Sequence, residues 1–319
     1  MILSVVGAAF VVIALCALLD VRRAAPADGA LFVFTQLVLR AATVLGLALA
    51  ALVYLPSTAP FASVSHWCVH TALPGISEGV GVDGHGVAAL VLLVPSGLLA
   101  LSVLWAVRTI WRGARTVRQA LARKVISDGP GRSLIVSGRT PFLAAAGLRQ
   151  PRVVVSMGAL FRLDESELDA SLQHEWGHIA RGHRFLSVLA RLLYALARPL
   201  PGSSHLIARL DYCLERDADE YAAARTGDRL ALASAICKVA AARPDPALAL
   251  AGGSDVAMRI RALSEPEHSP PLRGAIVRLG ALGGICLAIG LVALIPGELA
   301  AGYNQLAGMH DLHPEACSL

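Results

Sequence analysis

Asp164-Glu165-Ser166-Glu167-Leu168-Asp169-Ala170-Ser171-Leu172-Gln173-His174-Glu175-Trp176-Gly177-His178-Ile179 is the stretch that decides how the rest of this 319-residue chain is read. Asp164 followed by Glu167 is a helix-start pattern: the first side chain caps the second residue's backbone, and the second reaches back. Leu168, Leu172 and Ile179 supply an apolar stripe, so one helix is expected over about 165–182. On it His174 and His178 stand at i and i+4, one above the other, and offer two imidazole nitrogens to one tetrahedral metal. Zinc suits such a pair, at one ion per chain. Glu175 follows the first histidine directly, where its carboxylate can take a proton from a bound water rather than ligate.

A zinc site of this type needs a third protein ligand and an open fourth position. A second helix is expected after Pro201-Gly202, ending near Gly227, and it carries Leu214-Glu215-Arg216-Asp217-Ala218-Asp219. Glu215 and Asp219 share a face, so Glu215 can ligate while Asp219 accepts a hydrogen bond from a ligand imidazole and fixes its tautomer. Asp211, Asp217 and Glu220 compete for the ligand role. The plainer reading is an acidic helix face paired with Arg209, Arg216 and Arg225. His183 falls off the His174–His178 ladder and reads as lying behind the ligands or on the surface. Cys213 lies on another face from Glu215 and reads as a packed thiol.

At these two motifs the chain resembles the gluzincin membrane proteases, both the HtpX and CAAX-prenyl-protease group and the BlaR/MecR-type signal-transducing metallopeptidases. The run Thr140-Pro141-Phe142, Gly147-Leu148-Arg149-Gln150-Pro151-Arg152-Val153-Val154-Val155-Ser156, Glu167-Leu168 and His174 is more similar to the second group. The resemblance covers roughly residues 85–297. It implies His174, His178 and Glu215 as zinc ligands, Glu175 as general base and Asp219 as the residue orienting a ligand imidazole. Tyr212, Tyr221 and Arg225 are candidates for stabilising the oxyanion.

Composition sets the surroundings of this site. With 55% hydrophobic and 16% charged residues and a mean hydropathy of +0.61, the chain is too apolar for an ordinary soluble domain. The net charge of +5 could suit nucleic acid, but the basic residues cluster beside apolar segments and no nucleic-acid signature accompanies them, so direct nucleic-acid binding is not expected. The expected fold is an α-helical polytopic membrane protein of about four transmembrane helices, with a cytoplasmic, mainly-α, α+β gluzincin metallopeptidase domain.

Three spans are expected within 1–110, at about 2–19, 31–55 and 87–110, with an extracytoplasmic loop over 56–84. The metallopeptidase domain follows at 111–272, a fourth span at 273–297, and a short extracytoplasmic tail at 298–319. Between Ala41 and Val107 there is no Lys or Arg, whereas Arg22, Arg23 and the run Arg108 to Lys124 are basic. The positive-inside rule therefore places the metallopeptidase domain in the cytoplasm and both termini outside a multi-pass cytoplasmic membrane. Arg40 lies inside the second span, where an interhelical partner or snorkelling accounts for it.

Within the domain, 112–124 is a basic helical stem suited to anionic headgroups. Leu134-Ile135-Val136 and Val153-Val154-Val155 are short strands, and an edge strand there could hold an extended peptide. Phe185 to Ala197 is an apolar helix too short to span. A helix over Ser254 to Leu263 bears arginines and closes the domain.

Cys68 and Cys317 fall in the oxidising compartment, since Cys16 and Cys286 sit in spans and Cys213 and Cys237 face the cytoplasm; Cys68 and Cys317 are expected to pair. Alternatively His66, Cys68, His70, His310, His313 and Cys317 form an extracytoplasmic metal sensor. The leading functional reading is an integral membrane zinc endopeptidase of BlaR/MecR type, transducing a signal by cleaving itself or a cytoplasmic regulator such as a transcriptional repressor. The alternatives are an HtpX-like quality-control protease and a sensor scaffold without proteolysis. The partners implied are the lipid bilayer and a protein or peptide substrate.

Overall fold

The computed structural model describes residues 2–17, 24–54, 84–147, 150–242, 256–265 and 271–312. Three helices lead: α1 (Ile2–Ala17), α2 (Pro26–Tyr54) and α3 (Gly84–Lys124). A small sheet follows, of β1 (Val125–Asp128), β2 (Leu134–Val136), β3 (Leu143–Ala146) and β4 (Arg152–Ser156). Helices α4 (Met157–Arg162), α5 (Glu165–Ala180), α6 (His183–Ala197), α7 (Ser203–Thr226) and α8 (Arg229–Ala241) come next. A short helix over residues 256–264, α9, precedes α10 (Pro271–Leu312).

α2 is the hub. Phe32, Val33 and Leu37 of α2 pack with Cys16 of α1, Ala190 of α6, Leu206, Leu210 and Leu214 of α7, and Val277 and Ala281 of α10 in one buried cluster. The α2–α10 seam is narrow because α10 presents glycine there: a Cβ on Gly280 would come within 2.9 Å of the Phe32 ring, the close approach that small residues allow between apolar helices. Arg278 donates to Asp28 across the same pair at 2.9 Å. Among the described residues, two helices are long and apolar enough to cross a membrane, over residues 26–51 and 274–294. Large apolar side chains lie exposed along α1 (Phe10, Leu15), α3 (Leu98, Leu101, Trp105) and α10 (Leu282, Ile289).

Several boundaries differ from the expectations. The third span and the basic stem form one uninterrupted helix, because nothing between Val107 and Lys124 breaks it. α10 likewise runs past the expected limit at 297 to Leu312. The loop over 56–84 lies almost wholly outside the described residues, as do Cys68, Cys317, His66, His70 and His313. Arg40 has found a partner: buried in α2, it donates to the Pro201 carbonyl at 2.6 Å and to the Ser203 hydroxyl at 3.3 Å. The turn that starts α7 is thereby tied to α2.

The sheet has the order β1-β2-β4-β3. β2 and β4, the two runs legible as strands, pair parallel to each other. β1 joins β2 and β3 joins β4, both antiparallel. β3, which is Leu-Ala-Ala-Ala, carries no β-branched signal, and its neighbour β4 holds it in the sheet. Val153 and Val155 of β4 pack with Leu163 and Leu172, with Leu168, Trp176 and Ile179 of α5 against them. The apolar stripe of α5 thus lies on the sheet and leaves the His174–His178 face turned elsewhere. The capping box forms as the sequence expects: Asp164 accepts from the Glu167 N–H at 2.9 Å, and Glu167 accepts from the Asp164 N–H at 3.0 Å.

Candidate metal centre

α5 and α7 converge at glycine. A Cβ on Gly177 would sit 3.1 Å from Cδ1 of Tyr221 and 3.3 Å from the Ala218 Cα. The glycine between the two histidines therefore lets the helix bearing Glu215 approach closely. The imidazoles of His174 and His178 then face each other with their Nε2 atoms 3.2 Å apart. Glu215 Oε2 lies 3.5 Å from His174 Nε2, and its Oε1 lies 3.5 Å from His178 Nε2. All three ligand atoms lie within 4.8 Å of one another. A tetrahedral zinc with bonds near 2.0–2.1 Å asks for donor separations of about 3.3 Å, so this set fits one ion.

Each donor is held from behind. His174 Nδ1 lies 2.9 Å from Asp219, which leaves Nε2 free to point at a metal. Asp219 in turn accepts from Arg259 Nε and Nη2 at 2.8 and 2.7 Å. The same guanidinium reaches Glu215 at 2.7 Å. Burial opposes charge on Glu215, but His174 and Arg259 outweigh it and hold the carboxyl far below the usual range. Burial also opposes charge on His174, yet the Asp219 and Glu215 carboxylates raise it to about 10. His178 goes the other way, to about 4, through burial and the charge on His174. Of these two imidazoles, His174, next to the Asp219 and Glu215 carboxylates, holds an added proton more tightly than His178.

Glu175 stands beside this group without joining it. Its carboxylate accepts from the Ala145 N–H of β3 at 2.6 Å. Burial pushes its pKa up, against His174 and that N–H. The Ala145 N–H points away from β4, so Leu143 and Ala145 line the sheet's open edge next to the site. Leu143–Ala145, His174, Glu175, Glu215, Leu232, Ile236 and Arg259 border a cleft of about 510 Å³. A second hollow of about 720 Å³ opens on the other side of His178 and Glu215, bordered by Ile110, Gly113 and Ala114 of α3.

The rival acidic residues have other partners. Asp211 lies 3.6 Å from Arg191, Glu220 lies 3.6 Å from Arg216, and Asp217 faces His183 at 3.0 Å. Of the oxyanion candidates, Tyr221 packs against Gly177 and Arg225 stacks on its ring at 4.9 Å. The cations bordering the cleft are instead Arg184 and Arg259. Cys213 is buried, as a packed thiol should be. Arg259 had no local signal as a site residue, because what marks it is its contact with a helix distant in sequence. β2 and β4 are both interior strands, and the sheet edge next to the site is β3.

Two histidines one helical turn apart, a glutamate from a second helix and a free carboxylate beside them define the site class of a single-zinc metallopeptidase. Residues 115–267 match the model of Peptidase family M48, a zinc metallopeptidase family that includes HtpX and the CAAX proteases. No solved structure matches the chain.

Proposed function

We propose that this protein is an integral membrane zinc endopeptidase in which His174, His178 and Glu215 hold the ion. The observation that carries this reading is the convergence of those three donors within 4.8 Å, with Glu175 beside them but outside the donor set, its carboxylate held by the Ala145 N–H. Zinc bound there supplies Lewis acidity toward water and a peptide carbonyl. The open edge of β3 receives the substrate as an added strand, through the Leu143 backbone and the Ala145 carbonyl, the Ala145 N–H being held by Glu175. Glu175, its pKa raised by burial, takes the proton of the attacking water and passes it to the leaving amine. Arg259 keeps Glu215 ionised, and Asp219 keeps the His174 proton on the side away from the ion.

The role we favour is BlaR/MecR-type signalling, with cleavage of the chain itself or of a cytoplasmic repressor. Support comes from the metallopeptidase segment lying between α3 and α10 and packing directly on α2. The match to the M48 model favours the second reading, HtpX-like quality control of membrane proteins. The first test is the zinc content of detergent-purified wild type and of Glu215→Ala. About one zinc per chain, sharply reduced in the variant, is expected; a wild type that takes up no zinc sinks the proposal. Restricted cleavage of one regulator against broad accumulation of membrane-protein fragments separates the two roles.

A further inference from the structure

His174 and His178 are equivalent in the motif but not in what stands behind them. Behind His174 is a carboxylate. Behind His178 is a second imidazole: His183 Nδ1 lies 3.0 Å from His178 Nδ1, the two rings edge to face at 80°. The far nitrogen of His183, Nε2, lies 3.0 Å from the Asp217 carboxylate. Both His183 and Asp217 are more than nine-tenths buried, at 4% and 6% exposure. The turn that makes this possible is Arg181-Gly182. Gly182 takes φ of +66°, so the chain reverses into α6 and the first residue of the new helix folds back onto the last turn of α5.

An aspartate can only accept, so His183 carries its proton on Nε2 and donates it to Asp217. His183 Nδ1 is then a lone pair, and the proton between the two rings belongs to His178 Nδ1. That leaves His178 Nε2 unprotonated and turned toward His174 and Glu215. We infer that Asp217, acting through His183, is a positioning device that fixes the tautomer of His178 as a metal ligand. The inference rests on the zinc-site reading above and adds two residues to it. His183 was open between a supporting and a surface place, and Asp217 was a rival ligand; the relay gives both a use. Asp217 uses its second oxygen to accept from Arg181 Nη1 at 3.4 Å, which helps to hold the carboxylate in place behind His183.

The test is the zinc affinity of the full-length, detergent-purified chain against a competing chelator, read beside the thermal unfolding of the metal-free protein. In Asp217→Asn the amide can donate to His183 Nε2, which reverses both protons and places one on His178 Nε2. We expect zinc binding weaker by about 10–100-fold, little change in metal-free unfolding, and recovery in Asp217→Glu. His183→Gln, whose carbonyl can still accept from His178, should bind more tightly than His183→Leu, and this pair serves if Asp217→Asn fails to fold. If the wild type takes up one zinc and Asp217→Asn, or His183→Leu beside His183→Gln, binds it as tightly, the relay is overturned while the zinc site stands. A wild type that binds no zinc overturns both.

Discussion

Two helix pairs in this molecule are brought together by glycine, with opposite consequences. In the α2–α10 pair, Gly280 admits the Phe32 ring into a buried apolar cluster, and the ion pair there, Arg278–Asp28, has a largely exposed arginine, so closeness yields packing. In the α5–α7 pair, Gly177 admits Tyr221 and Ala218, and the side chains on either side of the contact are His174, His178, Glu215 and Asp219. The same steric device serves a seam in one place and a donor cluster in the other. What differs is that the second contact converges two imidazoles and two carboxylates on one site. Close approach in the second pair gathers groups that repel or protonate one another unless a cation, Arg259 or a metal, is present.

The comparison can be broken at several points. Glu175→Gln should abolish peptide cleavage, by about 10³-fold or more for loss of a general base, while zinc content and unfolding stay as in the wild type; loss of zinc would make Glu175 a ligand instead. Gly177→Leu should drive α5 and α7 apart and cost about 3 kcal/mol by overpacking, with zinc lost in parallel. A fully metallated, stable Gly177→Leu would show that the helices do not depend on that contact.

Lys238→Met probes the buried carboxylate that anchors α5 to α8. Glu167 is 3% exposed and accepts from Ser234 and Lys238, each at 2.6 Å. About 2 kcal/mol should be lost when the cation goes. Burial works against its charge, but Lys238, Ser234 and the Asp164 N–H bring its pKa below the ordinary carboxylate value. A depressed folded-state pKa stabilises the fold above the unfolded value and stops doing so as pH falls through the folded one. Wild-type stability should therefore drop below about pH 4.5 more steeply than that of Lys238→Met; equal acid profiles would remove the pair from the account.

On the apolar seam the effects shrink. Gly280→Ala meets only the edge of a ring that can turn, so about 1 kcal/mol is expected, without any change in zinc. Arg278→Gln removes an ion pair whose arginine is 65% exposed, and the unfolding midpoint should barely move. A larger loss would mean that this pair, not the glycine, sets the α2–α10 register.

The amino-acid sequence alone determined the parts of this protein that repeat within one element. The i, i+4 spacing sets His174 beside His178, and Glu215 beside Asp219, on whatever helix carries them. Asp164 and Glu167 close their capping box through backbone groups three residues apart. Short aliphatic runs, Leu134-Ile135-Val136 and Val153-Val154-Val155, mark β2 and β4 for the same reason: their signal is local. Contacts between segments far apart in the chain come from the packed fold and not from any local pattern. Arg259 reaches Glu215 and Asp219 from α9, Ala145 offers its N–H to Glu175 from a strand with no strand-like residues, and Asp217 turns toward His183 instead of the metal donors. Such partners are chosen by packing and by the need to satisfy buried charge, and neither leaves a periodic trace in the residues that answer it.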